Sequence, residues 1–152
     1  MKKMILIMTA MMSFVCLAQC NNADDEPVNM VLYDQPASSI QQYIQGNWKY
    51  VYSLGGLLAN NKTYPADNSY MRINSNRIVF TNEAQGTIVD TTIVWKYEPT
   101  IYGYSTSTLG YTSAKGGFFP SGCIVEHIKN DTLVIVENWY DPVGYYFSKM
   151  KS

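Results

Sequence analysis

From Gly46 onward, β-branched and aromatic residues alternate with polar ones, and turn residues interrupt them at short intervals. This alternation constrains the fold more than any other feature of the chain, because a period of two builds half-buried strands and cannot build helices. "NWKYVYSL" (47–54) reads as a strand stopped by Gly55-Gly56, and "SYMRIN" (69–74) and "RIVFT" (77–81) flank Ser75-Asn76 as a hairpin. "TIVDTTIVWKYE" (87–98) is a long strand ended by Pro99, and "YGYSTST" (102–108) is another, followed by a Gly-rich loop through Gly116-Gly117. "CIVEHI" (123–128) and "TLVIVENW" (132–139) flank the turn Lys129-Asn130-Asp131, and "GYYFSKMK" (144–151) closes the chain. Seven or eight strands with almost no helix predict an antiparallel barrel or sandwich. The exception is "SIQQYIQ" (39–45), where Ile40, Tyr43 and Ile44 have helical spacing, Ser38 or Ser39 is the candidate cap, and Gly46 is the stop.

The N-terminus has a different texture. Met1-Lys2-Lys3 is followed by fifteen uncharged residues, "MILIMTAMMSFVCLA" (4–18), the pattern of a secretory signal. A spanning helix needs about 20 apolar residues, so the run is short for a permanent anchor. "Leu17-Ala18-Gln19-Cys20" resembles a lipobox, in which Cys20 is acylated and becomes the new N-terminus, although Gln19 departs from the usual small residue. Ordinary cleavage after Ala18 is the alternative. The string "NNADDE" that follows resembles the export signals of Bacteroidota surface lipoproteins, which place acidic residues soon after the lipidated cysteine. Its other reading is a plain solvated linker, and Asn21 to Ser38 has little periodicity.

Cleavage before Cys20 removes Lys2 and Lys3, leaving nine of the eleven basic side chains against twelve acidic ones, a net charge of −3. That balance lacks the basic footprint of a nucleic-acid binder. Of the three cysteines, Cys20 and Cys123 then remain, and a lipidated Cys20 cannot pair, so Cys123 is expected as a buried thiol.

No catalytic constellation is recognisable, and the chain is expected not to be an enzyme. His127 is the single histidine. Alternation sets it on one face with Cys123 and Val125, which raises a Cys/His metal pair, but two ligands make a weak zinc site and a core histidine is the simpler reading. Glu126, Glu137 and Asp141 fall where a solvated face is expected, and no G-x-S-x-G motif occurs. The thirteen tyrosines are the unusual feature. Tyr102, Tyr104 and Tyr111 lie in a Gly/Ser/Thr-rich stretch, and Trp139, Tyr140, Tyr145 and Tyr146 surround the last hairpin. Such residues serve core and rim packing or a carbohydrate or peptide surface.

Gly46-Asn47-Trp48, following a short helix and opening the first strand, resembles the G-x-W motif of lipocalins. Lys149 stands where lipocalins lay a basic residue, usually Arg, across that tryptophan. The lipobox, the polar tether, the aromatic first strand and the closing pair "NDTLVIV…GYYFSKM" together resemble the lipocalin-like domains of small Bacteroidota surface lipoproteins, over residues 40–152. The resemblance implies an all-β, antiparallel, up-and-down eight-stranded barrel with a short N-terminal helix, one closed end and one open end. The expected organisation is a signal peptide (1–19), a lipidated acidic tether (20–38) and the barrel (39–152).

With Trp48 inward, Tyr50 and Tyr52 are expected on the same face. Met71 with Ile73, Ile78 with Phe80, and Ile93 with Trp95 and Tyr97 supply further inward sets. The expected function is a cell-envelope lipoprotein whose barrel binds a small apolar or amphipathic ligand through Tyr50, Tyr52, Met71, Phe80, Trp95 and Tyr97. Gly46, Trp48 and Lys149 form the structural motif. The rival is a structural or interaction module of a surface complex, its barrel filled, engaging carbohydrate or peptide through exposed aromatics. The expected partners are the membrane, through the lipid on Cys20, and an envelope protein. Neither nucleic acid, cofactor nor metal is expected. The expected place is the outer membrane, exposed at the cell surface, with the periplasmic side or secretion as alternatives.

Overall fold

The computed structural model describes residues 27–56, 61–111 and 122–151. The signal segment, Cys20, the acidic string and the loop through Gly116-Gly117 lie outside the described residues.

The elements are β1 (Met30–Val31), α1 (Ala37–Tyr43), β2 (Gly46–Gly55), β3 (Lys62–Thr63), β4 (Ser69–Asn74), β5 (Arg77–Asn82), β6 (Gly86–Pro99), β7 (Ser105–Tyr111), β8 (Cys123–Lys129), β9 (Thr132–Glu137) and β10 (Val143–Lys149). Strands β2, β4, β5, β6, β7, β8, β9 and β10 pair in that order, all antiparallel, and β10 returns to β2. The sheet is therefore a closed eight-stranded barrel, and closure removes the exposed edges that an open sandwich would leave.

Local chemistry sets the hairpins. Asn130 and Asp131 both have positive φ (49° and 58°) between the paired residues Lys129 and Thr132. That geometry matches the twist of the flanking strands. Between β5 and β6, the Asn82 side chain accepts from the amides of Ala84 (2.9 Å) and Gln85 (3.2 Å), a side-chain mimic of a backbone turn. Gly55 has φ +121°, and a Cβ there would sit 2.2 Å from the Pro142 carbonyl oxygen, so only glycine lets the end of β2 meet the start of β10.

One barrel end is closed by α1. Ile40 and the following Ile44 are buried against Trp48, whose Nε1 donates to the Ile44 carbonyl at 2.8 Å. Gly46, at φ +128°, turns the chain from the helix into β2. The helix begins at Ala37 with Pro36 in the cap position and no side-chain cap. Ser38 and Ser39 thus lie inside it; the fixed φ of proline sets the first turn instead.

The fold also starts earlier than residue 39. β7 pairs with β8 only at Thr108–Ile124 and Leu109–Cys123. Farther along β8, β1 takes over, with Met30 opposite Ile128 and Val31 opposite His127. The amides of Leu32 and Tyr33 then share the Glu126 carbonyl (2.9 and 3.2 Å), and the Leu32 side chain is fully buried in the core. Residues from Val28 on are therefore barrel, not tether, because the β7–β8 seam offers unpaired backbone that this segment satisfies. The strand expected at 102–108 begins only at Ser105. Residues 100–104 form a turn, held by the Thr100 hydroxyl donating to the Tyr104 carbonyl at 2.8 Å.

Among the described residues, three one-residue bulges interrupt the ladders. They fall at Val51 between β2 and β10, at Ile88 between β5 and β6, and at Glu126 between β8 and β9. Each shifts the alternation beyond it.

Candidate functional site

A row of inward positions runs across four strands, with Trp95 opposite Leu109, Leu109 opposite Cys123, and Cys123 opposite Glu137, and it climbs from the α1 side of the barrel at Trp95 to the mouth, opposite α1, at Glu137. Glu137 follows Leu133 and Ile135, both fully buried in the core, on one face of β9. Its carboxylate is therefore turned into the barrel mouth rather than to a solvated face. Glu137 Oε1 accepts from the Tyr145 hydroxyl at 2.6 Å, and Oε2 accepts from the Val143 amide at 3.3 Å. Below lies an aromatic floor, in which the rings of Tyr50 and Tyr145 are 6.4 Å apart, Tyr50 and Phe147 5.5 Å, and Phe80 and Phe147 6.2 Å. Trp139 and Tyr140 are exposed at the rim. There the Asn138 side chain ties the β6–β7 turn to the β9–β10 connection through the Ile101 amide (3.0 Å) and the Pro99 carbonyl (3.2 Å).

One atom in this row is conspicuous. The Trp95 indole N–H is buried and has no hydrogen-bond partner. Leaving such a donor unmet costs about 1–3 kcal/mol.

The electrostatics of the mouth favour neutral forms. Burial, and then the Glu137 carboxylate, pushes the Cys123 thiol up to about 12. Burial also raises the Tyr145 phenol, as does its hydrogen bond to Glu137. Burial raises Tyr50, partly offset by the Ser53 hydroxyl. The thiol has a stability consequence. Above the ordinary thiol value of 9.0 the unfolded chain releases this proton while the folded chain keeps it to about 12. The contribution is therefore intact below pH 9.0 and is lost as pH rises to about 12, with a slope of at most ~1.4 kcal/mol per pH unit. Cys123→Ala is expected to flatten the pH dependence of the urea midpoint between pH 9 and 10, before tyrosine ionisation enters. An unchanged slope would show that the thiol is solvated.

The structure brings Tyr50, Phe80, Met71 and Trp95 to the interior, with Met71 and Phe80 in the floor. It separates the other two expected ligand residues from them. Tyr52 lies beyond the Val51 bulge and faces outward, stacked on Tyr146 at 4.4 Å, with Lys62 Nζ 4.4 Å from its ring centroid. Tyr97 continues the Ile93–Trp95 row but is 77% exposed. There the β6–β7 hairpin has run past the two positions where β7 pairs with β8, so no core faces it. His127 is likewise on the outer face: the Glu126 bulge sets it opposite Val134, and its Nδ1 is 3.4 Å from the Glu126 carboxylate. Cys123 and His127 are thus on opposite sides of the barrel wall. No cluster of three or more metal-ligating side chains occurs among the described residues. Lys149 is exposed and in register with Trp48. The cation lying over a ring among the described residues is Lys62.

Two open grooves lie on the outer wall. One, of about 460 Å³, includes Asn47, Tyr70, Arg72, Val79 and Asp90. The other, of about 630 Å³, includes Lys49, Tyr64, Pro65, Asn68 and Glu83. In the first, Arg77 donates twice to Asp90 (2.6 and 2.8 Å), holding that carboxyl below its usual range.

No protein-family model, curated protein or solved structure matches the chain. Its chemistry is therefore read from the geometry alone. Glu137 and Tyr145 were missed as mouth residues, although the spacing Leu133, Ile135, Glu137 is the signal that finds the first of them.

Proposed function

We propose that this chain is a non-catalytic cell-envelope lipoprotein, of the lipocalin-like kind its motifs resemble, whose barrel interior holds a small amphipathic ligand. The buried, unpartnered Trp95 N–H carries this reading. It is a donor beside Leu109 on the inward row that continues through Cys123 to Glu137, the combination of apolar wall and few polar groups that binding sites use. The half of the barrel near α1 is packed with Trp48, Met71, Ile73, Ile78, Leu133 and Phe147, all nearly or fully buried. The ligand would therefore lie along the inward row, its apolar body against Leu109 and a hydrogen-bond acceptor on Trp95.

Native mass spectrometry of the full-length protein, extracted from its own membranes, tests the proposal. A small molecule should leave with wild type, and Trp95→Phe should reduce its occupancy by about tenfold, the value of one hydrogen bond of ~1.4 kcal/mol. Protein without any such mass, or a Trp95→Phe variant with full occupancy, would overturn it. Alkynyl fatty-acid labelling of the same cells tests the anchor: Cys20→Ser should abolish it, and equal labelling would refute lipidation. Two or more acyl chains would hold the protein stably, and the Asp24-Asp25-Glu26 string supports a surface address.

A further inference from the structure

The outer wall carries tyrosines that the mouth does not use. His127 is opposite Val134, Val134 opposite Tyr146, and Tyr146 opposite Tyr52, so one outward row crosses β8, β9, β10 and β2. At about 4.8 Å per strand the row is ~14 Å long. Tyr64 extends it, with its ring 6.0 Å from that of Tyr52 and 64% exposed. On the other side of His127, Tyr33 lies 5.3 Å from Tyr104, and Tyr104 is 6.1 Å from Tyr102 with the planes only 17° apart. The Glu126 carboxylate stands between the two groups, close enough to raise the phenols of Tyr102, Tyr104 and Tyr146 alongside burial. Beneath them Ile124 and Val134 are buried but separate from the barrel core.

We propose that this face binds a neutral polysaccharide chain, with pyranose rings laid on the Tyr52–Tyr146 and Tyr102–Tyr104 pairs and Glu126 accepting sugar hydroxyls between them. Tyrosine offers a flat, rigid apolar face at low entropic cost and keeps a hydroxyl at the rim, which matches the C–H faces and hydroxyl edges of a sugar. The charges exclude the other occupants. An anionic membrane or nucleic acid needs clustered Lys and Arg, whereas the patch centres on Glu126 and carries Lys62 at its Tyr52 end without a basic cluster around it. A protein hot spot needs a desolvated centre, whereas the Glu126 and His127 side chains remain 44% and 32% exposed.

Affinity electrophoresis of the detergent-extracted full-length protein, through native gels containing soluble starch, laminarin or xylan, tests this. At least one polymer should retard wild type. Tyr102→Ala, at an exposed position, and Glu126→Gln, at a half-buried one, should each weaken the apparent Kd at least fivefold, while Arg77→Gln, on the exposed far wall, leaves it unchanged. Migration unaffected by all three polymers, or retardation equal in the face variants and wild type, would overturn the proposal. So would flotation of the Cys20→Ser protein, which lacks the acylated cysteine, with vesicles containing anionic phosphatidylglycerol in the absence of any polysaccharide effect, which would assign the face to the membrane.

Discussion

Trp48→Ala should leave much of the protein unfolded. The indole is fully buried between the helix and the barrel floor, in register with Met71 on one side and Lys149 on the other. Its N–H is satisfied by the Ile44 carbonyl at 2.8 Å, so truncation removes the packed ring and also strands a buried acceptor at the end of α1. Trp→Ala in a core costs ~3–5 kcal/mol, against a total of ~5–15 kcal/mol for a domain. Lys149→Met keeps the apolar stem of an exposed residue and should stay within ~0.5 kcal/mol. Urea melts of protein lacking residues 1–26 separate the two. A Trp48→Ala midpoint no lower than that of Lys149→Met would mean that α1 and the first strand do not close this end of the barrel.

Leu32→Ala is expected to cost ~2.5–5 kcal/mol, in the range of buried leucine truncations that leave a cavity. The side chain is fully buried where β7 has left β8, and neighbouring backbone holds it there through the Leu32 and Tyr33 amides on Glu126. A residue in a solvated tether would change stability by no more than ~0.5 kcal/mol, so the urea midpoint distinguishes the two descriptions directly. Amide exchange adds a positional readout. The amides of β8 that lose their cover should exchange faster in Leu32→Ala, while those of β4 and β5, on the far side, should speed up only as far as the loss of global stability requires. A midpoint shift without faster exchange along β8 would place Leu32 in the core but not at the seam.

Much of the candidate site was legible residue by residue. Tyr50, Phe80 and Trp95 lie inside because alternation counted from Trp48 or along one hairpin places them there, and no bulge intervenes. Tyr52 and His127 were misplaced for one shared reason. Each follows a bulge, at Val51 and at Glu126, and one extra residue sends every later side chain to the opposite face. Glu137 was read by its charge rather than by its place in the row of Leu133 and Ile135. Cys123 was expected buried, but its Glu137 neighbour depends on the β8–β9 register.

Local chemistry written in the chain was enough for the strands, most of their limits, the Asn130-Asp131 and Ser75-Asn76 turns, and the Gly46-Asn47-Trp48 junction. Alternation, positive-φ turn residues and a buried indole act over a few residues, so their effects are visible without knowing what lies across the barrel. The two-residue strand Met30–Val31 and the burial of Leu32 have no such local cause. A strand that short exists only because barrel closure left β8 with unpaired backbone beside a gap in the core. The bulges also arise from closure, since bending eight strands into a ring requires local irregularity that no single strand specifies.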